Sequence, residues 1–161
     1  MAIYMDYNSK TPKGNVTAKG FEDQIELHSI QWGVGRSISM TTGAGQNREA
    51  SDATFSEVTI TKPMDKASSG LFEEATWGVE GRTVVISCTK TGAGQQDVYV
   101  EYTLENCLIS SYSISTSGDL PSESVTLSYG AMLMNFVDAA VSNKDGDQNR
   151  TGYNISLAEK S

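Results

Sequence analysis

The sequence YTLENCLISSYSISTSGDLPSESVTLSYGAMLMNF, residues 102–136, predicts two long strands joined by one polar connection. In the second strand, Val125, Leu127 and Tyr129 alternate with polar residues, which is the period of a half-buried strand. The alternation stops at residues 131–136, where apolar side chains fall on both faces of the strand. This part of the chain therefore has more apolar surface than one core face requires.

The apolar end of this strand predicts a contact between subunits. If one face of the sheet packs on the protein's own core, its other face needs a second partner. We expect that partner to be another copy of the same chain. The predicted subunit interface consists of Ala131, Met132, Leu133, Met134 and Phe136.

The length and charge of the chain limit the classes of function. Its 161 residues are enough for one domain with a substantial core. The formal net charge is -8, and such a surface repels phosphate backbones. Nucleic acid is therefore not expected as a partner.

The first residues, MAIYMDYNSK, begin with a strand pattern and have neither the basic region nor the long apolar region of a signal peptide. No stretch approaches the ~18–20 apolar residues of a membrane span. We expect a protein that starts in the cytoplasm, does not insert into membranes, and leaves the cell, if at all, without a cleavable signal. Cys88 and Cys107 both lie in strand-like sequence, which predicts two free, buried thiols.

Many further segments have the alternation of strands, and several end at turn residues. In the segment that begins at Gln24, Gly33 and Gly35 predict a bulge or bend. A solvated loop is expected over Asn143–Gly152, before the last strand. The further predicted strands are Ala2–Tyr7, Gln24–Met40, Phe55–Lys62, the hairpin of Arg82–Lys90 and Asp97–Leu108, and Tyr153–Leu157.

One segment, Lys66–Thr76, has helical spacing. Ser68 or Ser69 would cap its first turn, and Gly78 would end it. The predicted buried face consists of Leu71, Phe72 and Ala75. Many antiparallel strands with one helix predict a mainly β protein, an antiparallel β-barrel with one flanking α-helix; a β-sandwich is the alternative.

Residues that would support catalysis or metal binding are scarce. His28 is the single histidine, so no second histidine completes a metal set with it, and the carboxylates are scattered. The segment 145–149 begins like a calcium loop, but Arg150 stands where the loop needs glycine. We therefore expect no catalytic residues, no metal and no cofactor.

Several segments, in this order and spacing, resemble the hemolysin-coregulated protein (Hcp) family, which forms the tube of bacterial type VI secretion systems. The resemblance extends over essentially the whole chain. The segments are HSIQWG at 28–33, TITKPMDKAS at 59–68, LISSYSIS at 108–115, ESVTLSY at 123–129 and GYNI at 152–155.

This resemblance implies a β-barrel that assembles into six-membered rings, which stack into a tube that is exported. The implied partners are further copies of the chain, the spike and sheath components of the secretion system, and small effector proteins held in the pore. Some family members have an additional C-terminal effector domain. None is expected here, so residues 1–161 are predicted to form one domain.

The resemblance also implies roles for particular residues. Gln31 is expected to line the pore, although a position under a neighbouring subunit is the alternative. The segment Thr41–Ala53 is expected to reach the adjacent ring, with an ordinary surface loop as the alternative. The residues expected in that ring-stacking loop are Thr42, Gly43, Gln46, Arg48, Glu49 and Asp52.

Two other functions remain open from the sequence. A phage-type tail tube subunit needs the same stacking barrel, so the sequence does not separate it from a secretion tube. A monomeric hydrolase or lectin-like binding barrel would need a concave site with converging polar groups. The sequence offers for that purpose only His28 and dispersed carboxylates.

Overall fold

The computed structural model describes residues 1–39, 43, 50–91, 96–137 and 148–160, with residues 148 and 149 described through their backbone. These residues form twelve strands and one helix. The strands are β1 (Ala2–Tyr7), β2 (Ile25–Leu27), β3 (Ser29–Gln31), β4 (Val34–Gly35), β5 (Thr54–Phe55), β6 (Val58–Pro63), β7 (Arg82–Thr91), β8 (Gln96–Ser115), β9 (Ser122–Ser128), β10 (Ala131–Val137), β11 (Gln148–Asn154) and β12 (Glu159–Lys160). The helix α1 spans Ser68–Trp77.

The antiparallel strand pairings close on themselves and form a barrel. Strand β1 pairs with β2 and β7, β7 with β8, β8 with β9, β9 with β6, and β6 with β3. Strand β3 follows β2 after one residue, which completes the circuit. The predicted β-barrel with one flanking helix is therefore confirmed.

Strand β8 is twenty residues long and belongs to both sides of the barrel. Its first half lies between β7 and β10, and its second half pairs with β9. The predicted strand over residues 125–136 is therefore two strands, separated at Tyr129 and Gly130. The change in sequence pattern coincides with this change of sheet.

The predicted long strand segment Gln24–Met40, with a bulge or bend at Gly33 and Gly35, is more divided than expected. Its described part is divided into β2, β3 and β4, and residue 40 lies outside the described residues. At His28 the chain changes partner from β1 to β6, and its backbone N–H donates to the Thr61 carbonyl at 2.7 Å. At Gly33 the backbone N–H donates to Ser56 Oγ at 2.8 Å, which directs β4 towards β5.

The end of the chain also differs from the prediction. Strand β11 begins at Gln148, within the segment expected to be a loop, because it pairs with β10 from Val137 back to Ala131. The chain turns after Asn154 and returns as β12. Residues 143–147 lie outside the described residues.

The interior of the barrel is apolar, and helix α1 packs against it through Leu71, together with Ala67, the residue that precedes the helix. The prediction that Phe72 is buried is wrong, because 57% of its surface is exposed. Successive helical residues point about 100° apart, so Leu71 and Phe72 do not both face the barrel. The interior residues include Met5, Tyr7, Ile25, Val58, Ile60, Val84, Ile86, Leu104, Val125 and Leu127.

The ends of the helix are held in different ways. Its N-cap is Ala67, without a side-chain cap, so the predicted serine cap is wrong. Ser68 instead accepts a hydrogen bond from the Asp65 backbone N–H at 3.0 Å and donates to Glu123 at 3.0 Å. The prediction that Gly78 ends the helix is confirmed, since its N–H donates to the Glu74 carbonyl at 3.0 Å.

A buried charge cluster fixes the start of the helix to β6 and β9. Lys62 Nζ donates to Glu123 Oε2 at 2.6 Å and to Asp65 Oδ1 at 3.0 Å, and Tyr112 donates its hydroxyl to the other oxygen of Glu123. Burial alone would raise the pKa of Glu123, but the hydrogen bonds from Lys62, Tyr112 and Ser68 hold its pKa below the ordinary value. Glu123 is therefore a buried carboxylate with its partners in place.

The lowered pKa of Glu123 predicts a dependence of stability on pH. A carboxyl group with a lower pKa in the folded state adds stability above its unfolded pKa and loses that contribution as the pH falls through the folded value. Chemical unfolding at a series of pH values below about 4.5 should show this loss. A Glu123→Gln variant should lose less stability over the same interval; a parallel loss in both proteins would contradict the assignment.

Both cysteines are free and buried, as predicted. Burial raises the pKa of the Cys107 thiol to about 12. Cys88 also has a raised pKa, mainly through burial. Neither thiol is therefore expected to react readily in the folded protein.

Candidate assembly surfaces

Neither a metal-binding cluster nor a membrane-spanning helix occurs among the residues that the structure describes. Among them, no group of three or more His, Cys, Asp or Glu side chains is arranged to hold a metal ion. Helix α1 is too short and too polar to cross a membrane, and no other helix occurs in the described ranges.

One sheet face consists of small, uncharged polar side chains. It is the outward face of β3, β6, β9 and the second half of β8, whose inward residues, such as Ile60 and Val125, enter the core. Two rows cross the four strands. The first is Gln31, Thr59, Thr126 and Ser111, and the second is Ser29, Thr61, Ser124 and Ser113. We call these eight residues the hydroxyl face.

The hydroxyl face is accessible to solvent and partly bonded within itself. Ser29 and Thr61 share a hydrogen bond of 2.6 Å between their hydroxyl oxygens, and Ser113 and Gln31 are exposed. The acidic residue Glu57 directly precedes β6 and accepts a hydrogen bond from Ser110 at 3.0 Å. A protein with net charge -8 thus has one sheet face without a charge in its two central rows.

The structure divides the predicted interface residues between two faces of β10. Ala131 and Met132 are buried in the subunit itself, and Met132 keeps only 4% of its surface exposed. Leu133 is half-buried on the opposite face from Met132, between Thr103 of β8 and Gly152 of β11. The residues that retain surface for a partner are Leu133, Met134 and Phe136, and Phe136 is 42% exposed.

An open apolar groove of about 440 Å³ lies between β10–β12 and the residues around β4 and β5. The ring of Phe55 stacks on Tyr153 with centroids 5.1 Å apart, and Trp32 meets Tyr102 edge-on at 5.6 Å. We call it the aromatic groove. It is lined by Trp32, Val34, Phe55, Met132, Met134, Thr151, Gly152, Tyr153 and Lys160.

The predicted ring-stacking loop is described in part. Gly43 and Asp52 are exposed, whereas Thr42, Gln46, Arg48 and Glu49 lie outside the described residues. The two ends of the loop run antiparallel as β4 and β5, and the Ser37 N–H donates to Ser51 Oγ at 2.9 Å further along. The loop therefore leaves the barrel from a paired stem.

Sequence reasoning missed the hydroxyl face, the aromatic groove and the buried charge cluster. The hydroxyl face had a visible signal, since serine and threonine recur at alternate positions in LISSYSIS and VTITK. The aromatic groove and the buried charge cluster had no visible signal in the sequence, because their members are far apart in the chain. Lys62 and Glu123, for example, are separated by 61 residues.

The fold and these surfaces define a class of protein: a filled β-barrel with a polar sheet face and an open aromatic groove among its described residues. The family model described as "Type VI secretion system effector, Hcp" matches residues 4–136. The chain therefore belongs to the Hcp family of type VI secretion proteins. None of the curated proteins matches the chain at a significant level.

Solved structures of the same family have the same fold. A protein described as a type six secretion system protein is 24% identical, with a TM-score of 0.87 and 99% of each chain covered. Hcp1 from Salmonella typhimurium is 19% identical, with a TM-score of 0.79 over 99% of this chain and 98% of the other. Hcp3 from Pseudomonas aeruginosa is 21% identical, with a TM-score of 0.61 over 92% of this chain and 95% of the other.

These findings confirm the family, the β-barrel and the assignment to a type VI secretion tube subunit that were predicted from sequence. The family is one of secreted structural proteins that form tubes. That residues 1–161 form a single domain without an effector extension stays a prediction. The roles assigned to Gln31, to the ring-stacking loop and to the β10 residues also stay predictions.

Proposed function

We propose that six copies of this tube subunit form a head-to-tail ring, and that the rings stack into a tube which receives small effector proteins in its pore. The tube assembles in the bacterial cytoplasm, contacts the sheath along its outside and the spike at its tip, and is exported without a cleavable signal. Its role is assembly and not catalysis. The observation that supports this most directly is the hydroxyl face.

The hydroxyl face has the chemistry of a channel wall. Large exposed apolar patches favour burial against a partner, and this face has none in its two rows. It also lacks the charges that would hold an oppositely charged cargo strongly. Gln31, the predicted pore residue, is exposed within its first row, beside Thr59. We infer that the whole face, and not Gln31 alone, borders the pore.

The contact between neighbouring subunits involves different patches on the two partners, because a ring closes only through heterologous contacts. On β10 the exposed parts of Leu133, Met134 and Phe136 supply one of these patches. The family match favours the secretion tube over a phage tail tube. A monomeric binding barrel has less support, because the barrel interior is filled by core side chains.

The solution mass tests this function. Light scattering behind size exclusion should give about six times the subunit mass of 17.3 kDa, and negative-stain images of the same peak should show annular particles. A monomer of 17.3 kDa at high protein concentration would contradict the proposal.

The position of the hydroxyl face can be tested by chemical labelling. In assembled tubes, a Ser113→Cys variant should react with a small maleimide but much more slowly with a polyethylene-glycol maleimide too large for the pore. A Lys19→Cys variant is the matched control, since Lys19 is exposed outside the sheets. The native thiols are buried and should stay unlabelled. Equal rates with the large reagent would place Ser113 outside the pore.

A further inference from the structure

An exposed apolar projection lies at the C-terminal end of helix α1. Trp77 is 82% exposed and Val79 is 87% exposed. Glu74 and Arg82, which form an ion pair of 3.2 Å, fix this turn to the start of β7. The other acidic side chains here, Glu73 and Glu80, are exposed. We call Trp77 and Val79 the knob.

Trp77 and Val79 have the features of residues in a protein–protein interface. A large aromatic side chain left in water at the end of a well-anchored helix forgoes the stabilisation that burial would give it. Tryptophan is also the residue type most enriched at the energetic centre of protein interfaces. The knob is therefore a surface that binding to a partner would stabilise.

The aromatic groove complements the knob in size, polarity and charge. Its volume of about 440 Å³ lies within the range of pockets that accept a side chain or small ligand. Its wall is aromatic and methionine-rich, which suits an indole ring. Lys160 is the charged residue among the described residues that line the groove, whereas the knob has acidic neighbours.

A chain does not fill its own groove with its own knob. The knob lies at the end of α1, just before β7, and the groove is lined by Met132 and Met134 of β10. Strand β8 lies between β7 and β10 in the sheet. The two features are therefore different patches of one subunit, as a heterologous contact requires.

We propose that Trp77 and Val79 of one subunit insert into the aromatic groove of a neighbouring copy, with Glu73 beside Lys160. Glu73 lies one helical turn before Trp77, on the same side of the helix. This inference rests on the proposed tube function and deepens it, because it names the surfaces by which subunits join. Other occupants of the groove, such as a small apolar ligand or an effector segment, are outcomes of the test.

Disulfide cross-linking tests the contact directly. A Val79→Cys/Thr151→Cys variant keeps Trp77 and places one thiol in the knob and one at the groove wall. Oxidised rings should give a ladder of linked subunits on a non-reducing gel. A ladder that ends at six subunits indicates contact within the ring, and a longer ladder indicates contact between stacked rings. Val79→Cys/Lys19→Cys is the matched control and should remain unlinked.

Three further variants test how much the knob-and-groove contact contributes to assembly. Trp77→Ser should raise the dissociation constant between subunits about thirtyfold or more, as expected for an interface hot spot. Its free energy of unfolding as a monomer should not change, because Trp77 is exposed. Lys160→Glu should also weaken assembly, and adding Glu73→Lys in the same chain should restore it.

The outcomes separate this inference from the proposed function. A monomeric protein would contradict both. Rings that form normally in Trp77→Ser, and that do not cross-link between positions 79 and 151 beyond the control, would overturn the knob-and-groove contact alone. The knob-and-groove contact would also be overturned if such rings formed and an apolar ligand bound in the groove.

Discussion

Replacing Phe136 by aspartate is expected to convert the rings into folded monomers. Phe136 is 42% exposed at the outer end of β10, so the subunit tolerates a polar side chain there. In the ring this position loses solvent if β10 forms the predicted interface, and an unpaired buried charge costs about 3–5 kcal/mol at each contact. Six such contacts would be weakened together.

The measurement is the solution mass of Phe136→Asp against Leu120→Asp. Leu120 is also exposed and apolar but lies in the connection before β9, away from β10. The control should give rings. Far-ultraviolet circular dichroism should show both variants folded. Met134→Asp should be more disruptive, because Met134 also packs against the core of its own subunit. Full rings from Phe136→Asp would remove Phe136 from the interface.

Replacing Lys62 by methionine is expected to cause the largest loss of stability in the subunit. Lys62 is fully buried and is the cation between Glu123 and Asp65, at 2.6 and 3.0 Å. Without Lys62, the carboxylates of Glu123 and Asp65 remain close together and almost completely buried. Removing one partner of a buried ion pair costs about 3–5 kcal/mol.

The comparison for Lys62→Met is a double variant in which Glu123→Leu is added. The double variant should recover part of the lost stability, because replacing a buried pair by apolar residues is often neutral. Urea unfolding of the monomer measures both effects. Lys66→Met is the matched surface control, since Lys66 is about half-exposed in a 3.9 Å pair with Asp23. An equal effect of the Lys62 and Lys66 replacements would contradict the role of the cluster.

Local sequence pattern predicted the elements whose two faces differ in polarity. Strand β1 and the β7–β8 hairpin were found because polar and apolar residues alternate in them. The positions where strands break, at His28 and Gly130, were not found. There the chain changes its pairing partner, and the identity of that partner depends on segments distant in sequence.

The same reason explains which surfaces were predicted. The apolar run on β10 was visible in the sequence, because five of its first six residues, all except Asn135, are apolar. Its division into a buried face and a half-buried face required the positions of β8 and β11. The predicted helix ended at Thr76 and assigned no role to Trp77, whose 82% exposure is visible only in the structure.

The long strand β8 has a mechanical consequence for the proposed tube. The two sheets of the barrel share this strand as one continuous backbone. A load applied to either sheet passes to the other through covalent bonds. Under a load parallel to β8, the hydrogen bonds along this strand are loaded in shear, many at once, instead of opening one after another. A load in that direction is therefore shared by both sheets.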